Sequence, residues 1–210
     1  MNVLLDVDGV LIRDPAIIHH MQDNITQYVR LKVPRARNPE QMRTFFYKKY
    51  GHTARGITHA LGIPTPDFNT FVYDRPLMAR LADHLTSDQF QEDADVVRKL
   101  LNDGNNVTLF SNAPGIWTWP ISCAIDLRVS TAKFAGLKPQ PVAYTHVRGP
   151  GPFIFVDDLY DNLGPIKRCP PWIPIHFSDT PVASDVYRIE TLAELLETLA
   201  HIKSNDDGRH

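Results

Sequence analysis

The apolar opening Val3-Leu4-Leu5 runs directly into Asp6-Val7-Asp8-Gly9, which places two acids and a glycine at the end of a buried run. A short, continuously apolar run of this kind reads as a strand covered on both faces, the hallmark of a parallel sheet. The same arrangement recurs twice. Val107-Thr108-Leu109-Phe110 ends in Ser111-Asn112, and Phe153-Ile154-Phe155-Val156 ends in Asp157-Asp158. A weaker run follows at Ile173–Phe177. Ligands of open α/β sheets bind beyond the carboxyl ends of the strands, so these polar endings mark the expected site. The expected fold is α/β with a parallel sheet.

Amphipathic patterns at Asp93–Leu101 and Thr191–Ile202 supply covering helices, and the polar stretch 204–210 reads as a flexible tail. Residues 14–92 differ, because no convincing strand occurs there. Helices are expected at about 15–30, 39–50, 53–61 and 76–84, with Gly62-Ile63-Pro64-Thr65-Pro66 as a break. The chain thus divides into a core of 1–13 plus 93–203 and an inserted helical unit of 14–92.

Composition excludes several function classes. A net charge of −2 over 210 residues gives no general nucleic-acid or membrane-surface binder. Arg35, Arg37, Lys48 and Lys49 read as a solvated face. Cys123 and Cys169 form no CxxC pair or zinc spacing, no HExxH occurs, and no apolar stretch approaches a membrane span. A reducing, cytoplasmic setting is expected, with no nucleic-acid or membrane partner and a monomer or weak homodimer. His19 and His20 fall where a hinge into the insertion would lie.

The chemistry follows from the strand ends. Two carboxylates there can bind a hard divalent cation through oxygen. Alternatively, one attacks phosphorus while the other handles protons. A carboxylate approaching a phosphate dianion is repelled, and a cation and a lysine offset that repulsion. The plain alternative is a loop whose aspartates cap a turn. Ser111 and Asn112 can hydrogen-bond phosphate oxygens, although Ser-Asn-Ala-Pro is also good turn chemistry. Lys138 is favoured over the nearby Lys133 because Pro139 fixes the backbone behind it. Adjacent Asp157 and Asp158 repel each other unless a cation or hydrogen bonds compensate, which points to metal binding.

In this order, Asp6-Val7-Asp8-Gly9-Val10-Leu11, Ser111-Asn112, Lys138-Pro139 and Val156-Asp157-Asp158-Leu159-Tyr160-Asp161-Asn162 resemble the haloacid dehalogenase superfamily. The resemblance implies that the α/β fold is a Rossmann-like three-layer core, with a helical C1 cap inserted after the first strand and a Mg²⁺ cofactor. By the same resemblance, Asp6 is the nucleophile, Asp8 the acid and base, and Lys138 the neutralising cation. Ser111 and the backbone of Asn112 hold phosphate. The metal is held by Asp6, the backbone carbonyl of Asp8, Asp157 and Asp158, with Asp161 or Asn162 in support. The acid Asp8 points to phosphoryl transfer, since the dehalogenases themselves lack it and use no metal. Departures from the family pattern also occur, among them the unusual segments Gly149-Pro150-Gly151-Pro152 and Pro170-Pro171-Trp172. Pro114 and Pro120 interrupt the helix usual after Ser111-Asn112, and Leu159 stands where a serine is usual.

The segments Phe45–Gly56 and Pro66–Asp74 resemble the cap of pyrimidine 5′-nucleotidase-like members. His52, Thr53 and Arg55 are then expected to bind a base or sugar, and Tyr47 and Tyr50 to belong to the core. The implied function is a Mg²⁺-dependent phosphatase for a small phosphorylated metabolite, with a nucleoside 5′-monophosphate as the expected substrate. The alternatives are a sugar-phosphate or phosphoglycolate phosphatase or phosphomutase, and a non-catalytic protein that binds a phosphorylated ligand.

Overall fold

A computed structural model describes residues 1–132, 136–145, 147, 149–180 and 185–207, with the side chains of 205–207 excepted. Lys133 and His210 lie outside the described residues. The described residues include six strands: β1 (Asn2–Leu5), β2 (Asn106–Leu109), β3 (Ser130–Thr131), β4 (Phe153–Asp157), β5 (Trp172–Phe177) and β6 (Tyr187–Ile189). They form one parallel sheet in the order β3-β2-β1-β4-β5-β6. Leu5 pairs with Leu109 on one side and Val156 on the other, so Asp6, Phe110 and Asp157 stand at one level past that register.

Alternation along the strands sorts the core. Val3, Leu5, Ile154 and Val156 face one layer, while Leu4, Phe153 and Phe155 face the other with Phe110, Tyr144 and Ile166. Between β1 and α6 (Asp88–Asn102) lie α1 (Pro15–Lys32), α2 (Pro39–Tyr50), α3 (Thr53–Leu61), α4 (Thr65–Val72) and α5 (Arg75–His84). Ile17, Tyr28, Phe68 and Leu81 of this insertion share one continuous apolar cluster with Val3 and Leu5. The remaining helices are α7 (Gly115–Ile125), α8 (Pro141–Tyr144), α9 (Tyr160–Leu163) and α10 (Leu192–Asp207). None of the described helices is long and apolar enough to cross a membrane.

The insertion's helices start where their caps dictate. Asp14 accepts from Ala16 N–H at 2.8 Å ahead of Pro15, and Asn38 accepts from Gln41 N–H at 3.1 Å ahead of Pro39. Gly51 closes α2 in the left-handed region at φ +75. Helix α3 then packs so close to α2 that a Cβ on Gly56 would lie 2.6 Å from Phe46.

Four helical features differ from the sequence reading. Helix α4 replaces part of the expected break, because Pro64 and Pro66 flank its first position, where no N–H is needed. Helix α6 begins at Asp88, where Ser87 accepts from Phe90 N–H at 3.3 Å, rather than near residue 93. Helix α10 continues to Asp207, into the stretch expected as tail. Helix α7 runs through Pro120 instead of breaking. An interior proline costs about 3 kcal/mol. Burying Trp117 and Ile121, both 0% exposed, returns roughly 2–3 kcal/mol each.

Candidate active site

Strand register brings the polar strand ends around one cleft of about 260 Å³. Its sheet-side wall includes Asp6, Asp8, Ser111, Asn112, Lys138 and Asp158, and its other wall comes from the helical insertion. The fully buried ammonium of Lys138 lies 3.0 Å from Asp6 Oδ1 and 2.6 Å from Asp157 Oδ2. It also sits 5.0 Å from the ring centre of Phe155 and 5.4 Å from that of Phe110. Burial opposes its charge, but Asp6 and Asp157 outweigh burial and hold its pKa above the ordinary lysine value.

The geometry divides the two adjacent acids. Asp157 Oδ1 accepts from Leu159 N–H at 2.8 Å, and Asn162 Nδ2 donates to both Asp157 oxygens at 3.0 Å. With Lys138 on Oδ2, Asp157 is already saturated as a counter-ion. Asp158 Oδ1, in contrast, is buried with no hydrogen-bond partner among the described residues. Its carboxyl is pushed up to about 7, by burial first and then by the charge of Asp6. Oxygens of Asp6, Asp157 and Asp158 lie within 4.8 Å of one another. Three carboxylates around one ammonium leave excess negative charge, and an orphaned carboxylate oxygen among them suits a hard divalent cation. Of the two supporting candidates, Asn162 makes the contacts and Asp161 is exposed.

Asp6 also accepts from Val7 N–H at 2.7 Å. Its carboxyl is raised to about 7, by burial, with Lys138 opposing and Asp157 adding. Asp8 follows the same direction to about 7, through burial and the charge of Asp6, against a hydrogen bond from Trp117 Nε1 at 2.9 Å. Ser111 serves both readings at once, since its Oγ accepts from Ala113 N–H at 3.1 Å while lining the cleft. Asn112 spends its side chain on the backbone of Lys138.

The insertion's wall pairs the apolar Ile18, Met21, Ile25 and Phe68 with Gln22, Tyr47, His52 and Tyr73. His52 caps α3 through Nδ1, which accepts from Ala54 N–H at 3.2 Å. Burial lowers its pKa to about 4, so the ring is neutral and its proton resides on Nε2. Thr53 and Arg55 do not line the cleft. Thr53 is buried at the start of α3, and Arg55 donates to the Tyr50 carbonyl at 3.4 Å. Tyr47, expected in the core, is 44% exposed and reaches the cleft, whereas Tyr50 packs on Phe46 and His59. Periodicity hides this, because Tyr47 lies one residue beyond the buried Phe46. Trp117 is the residue that sequence reasoning missed. Its place in an interrupted helix gave no sign of a partner 109 positions away.

No protein-family model matches the chain, and no curated protein matches it in sequence. Solved structures do match. A HAD (haloacid dehalogenase-type) phosphatase from Thermococcus onnurineus superposes with TM-score 0.61 at 14% identity, over 94% of this chain and 97% of that one. A predicted phosphoglycolate phosphatase from Haemophilus somnus 129PT gives TM-score 0.54 at 12% identity, over 94% and 97%. The L-2-haloacid dehalogenase of Xanthobacter autotrophicus gives 0.53 at 12% identity, over 95% and 98%. Sheet order, helical insertion and these near full-length superpositions together give the chain the fold of the haloacid dehalogenase superfamily.

Proposed function

We propose that the cleft hydrolyses a small phosphomonoester with Mg²⁺, through an aspartyl-phosphate. The observation that carries this reading is the pair Asp6 and Asp8 on one cleft in different company: Asp6 against Lys138, Asp8 against Trp117. That separation suits one acid to attack and the other to move protons. Asp6 bonds to phosphorus, the bond to the leaving oxygen breaks, and its electron pair takes the proton of Asp8. Asp8 then removes a proton from water, whose oxygen attacks phosphorus and frees the Asp6 carboxylate. Lys138 offsets the charge between Asp6 and phosphate, and Ser111 holds a phosphate oxygen. Asp6, Asp158 and the carbonyl of Asp8 would hold the metal, with Asp157 supporting them through Lys138. When bound, Mg²⁺ supplies positive charge against the phosphoryl oxygens.

The insertion acts as the cap that reads the leaving group. Its cleft-lining residues include no lysine or arginine, so a carboxylate-bearing leaving group such as glycolate finds neutral donors there but no cation to offset its charge. A neutral leaving group with an apolar body fits better, and a nucleoside 5′-monophosphate is the representative. The test is phosphate release with Mg²⁺ across nucleoside monophosphates, sugar phosphates and phosphoglycolate. Nucleotides are expected to lead, and equal rates on phosphoglycolate would remove the leaving-group assignment. Asp6→Asn is expected to abolish turnover while the fold persists. Surviving turnover would sink the covalent route, and a wild type that binds but never cleaves would favour a binding protein.

A further inference from the structure

We infer that Trp117 is a positioning residue, whose indole fixes Asp8 for proton transfer and ties that acid to the helical insertion through Tyr73. This role rests on the phosphomonoester reading. The argument begins with the donor inventory. An indole N–H only donates, so Asp8 Oδ1, 2.9 Å from Trp117 Nε1, is held as an acceptor. A carboxyl's carbonyl oxygen is a better acceptor than its hydroxyl oxygen, so this contact favours the acid form with its proton on Oδ2, the oxygen left for the leaving group. Trp117 is well anchored for this task, being 0% exposed on α7. Its ring packs 5.3 Å from that of Tyr73, which follows α4 and also lines the cleft. One side chain therefore touches the acid on the core and the wall of the insertion. Trp119, two positions on, is 61% exposed, so the sequence places two tryptophans on one helix and buries only the one that meets Asp8.

A purely structural role predicts loss that ignores the leaving group, whereas a positioning role predicts loss that depends on it. The experiment compares kcat/KM, with Mg²⁺, for 2,4-dinitrophenyl phosphate and for a nucleoside 5′-monophosphate. The dinitrophenolate leaves without a proton, and the nucleoside oxygen needs one. For Trp117→Phe the nucleotide value is expected to fall roughly 10- to 100-fold while the dinitrophenyl value stays within about twofold. Trp119→Phe is expected to leave both unchanged. The ratio of the two values does not depend on the fraction of folded enzyme. Should the phenylalanine variant fail to fold, replacing Trp117 by 3-benzothienylalanine keeps the ring's size and removes only the N–H. Equal losses on both esters, or an unchanged ratio, would overturn the positioning role. A wild type that cleaves neither ester overturns the function proposed above, and this role with it.

Discussion

Asn112 brackets the peptide unit of Lys138: its Oδ1 accepts from the Lys138 N–H at 2.8 Å, and its Nδ2 donates to the Lys138 carbonyl at 3.0 Å. The amide three residues beyond β2 thus sets the height of an ammonium carried by a loop 26 residues later. Asn112→Ala removes both bonds and frees the loop. Phosphate release is expected to fall roughly 10- to 100-fold in kcat/KM, and stability by about 1–3 kcal/mol in urea unfolding. An activity close to wild type would mean that Lys138 is held by its carboxylate partners alone.

Gly9 lies at φ +86, and a Cβ there would stand 2.2 Å from Asp158 Oδ2. Both the backbone and the acid therefore require the missing side chain. In Gly9→Ala, Asp158 must swing away from Asp6. The expected result is a lost thermal shift on adding Mg²⁺, together with at least a roughly 100-fold drop in turnover. A retained Mg²⁺ shift would show that Asp158 is not the open ligand.

Burial holds the carboxyls of Asp8 and Asp158 at about 7, far above the ordinary 3.8. Between these values the folded protein keeps protons that the unfolded chain has released. Raising pH through that window therefore favours unfolding, and the cost is complete above about 7. His52, lowered to about 4, acts in the opposite sense between about 4 and 6.5. Comparing wild type with Asp158→Asn cancels the histidine contribution. In chelator, the variant is expected to gain Tm over wild type as pH rises from about 5 to about 8, and Mg²⁺ to close that gap only in wild type. A pH-independent gap would mean that Asp158 is already ionised at low pH.

What the sequence discloses here follows period and position. Runs such as Val3–Leu5 and Phe153–Val156 disclose buried strands, and a shared register then brings Asp6 and Asp157 together without further information. The two-residue β3 and three-residue β6 carry no periodic signal and were not expected. Prolines misled twice in the same direction, as apparent breakers where the chain is helical. At Pro66 the ring suits a first turn, and at Pro120 tertiary burial outweighs the lost bond. Residue type alone cannot rank Asp157 against Asp158. Asn162 and Lys138 distinguish them, because they occupy the acceptor sites of the former and not of the latter. The cross-element pair Trp117 and Asp8 is likewise a matter of packing rather than pattern.

Of His52, Thr53 and Arg55, the residues expected to contact the leaving group, His52 lines the cleft and the other two do not, while Tyr47, expected in the core, lines it as well. His52 does two jobs, since Nδ1 caps α3 and Nε2–H remains for a ligand. Asparagine caps helices as well as any residue, so His52→Asn keeps the cap and removes the ring. That variant is expected to hold its Tm while KM for a nucleoside 5′-monophosphate rises roughly tenfold, the worth of one hydrogen bond. Tyr47→Phe, which loses only a hydroxyl, is expected to raise KM by about half as much in free energy. Arg55→Ala is expected to leave KM within about twofold, since its guanidinium is spent on the Tyr50 carbonyl. Steady-state phosphate release on the three variants and wild type decides the matter. A KM rise in Arg55→Ala matching that of His52→Asn would return the leaving-group contact to the arginine and require the insertion to close further over the cleft.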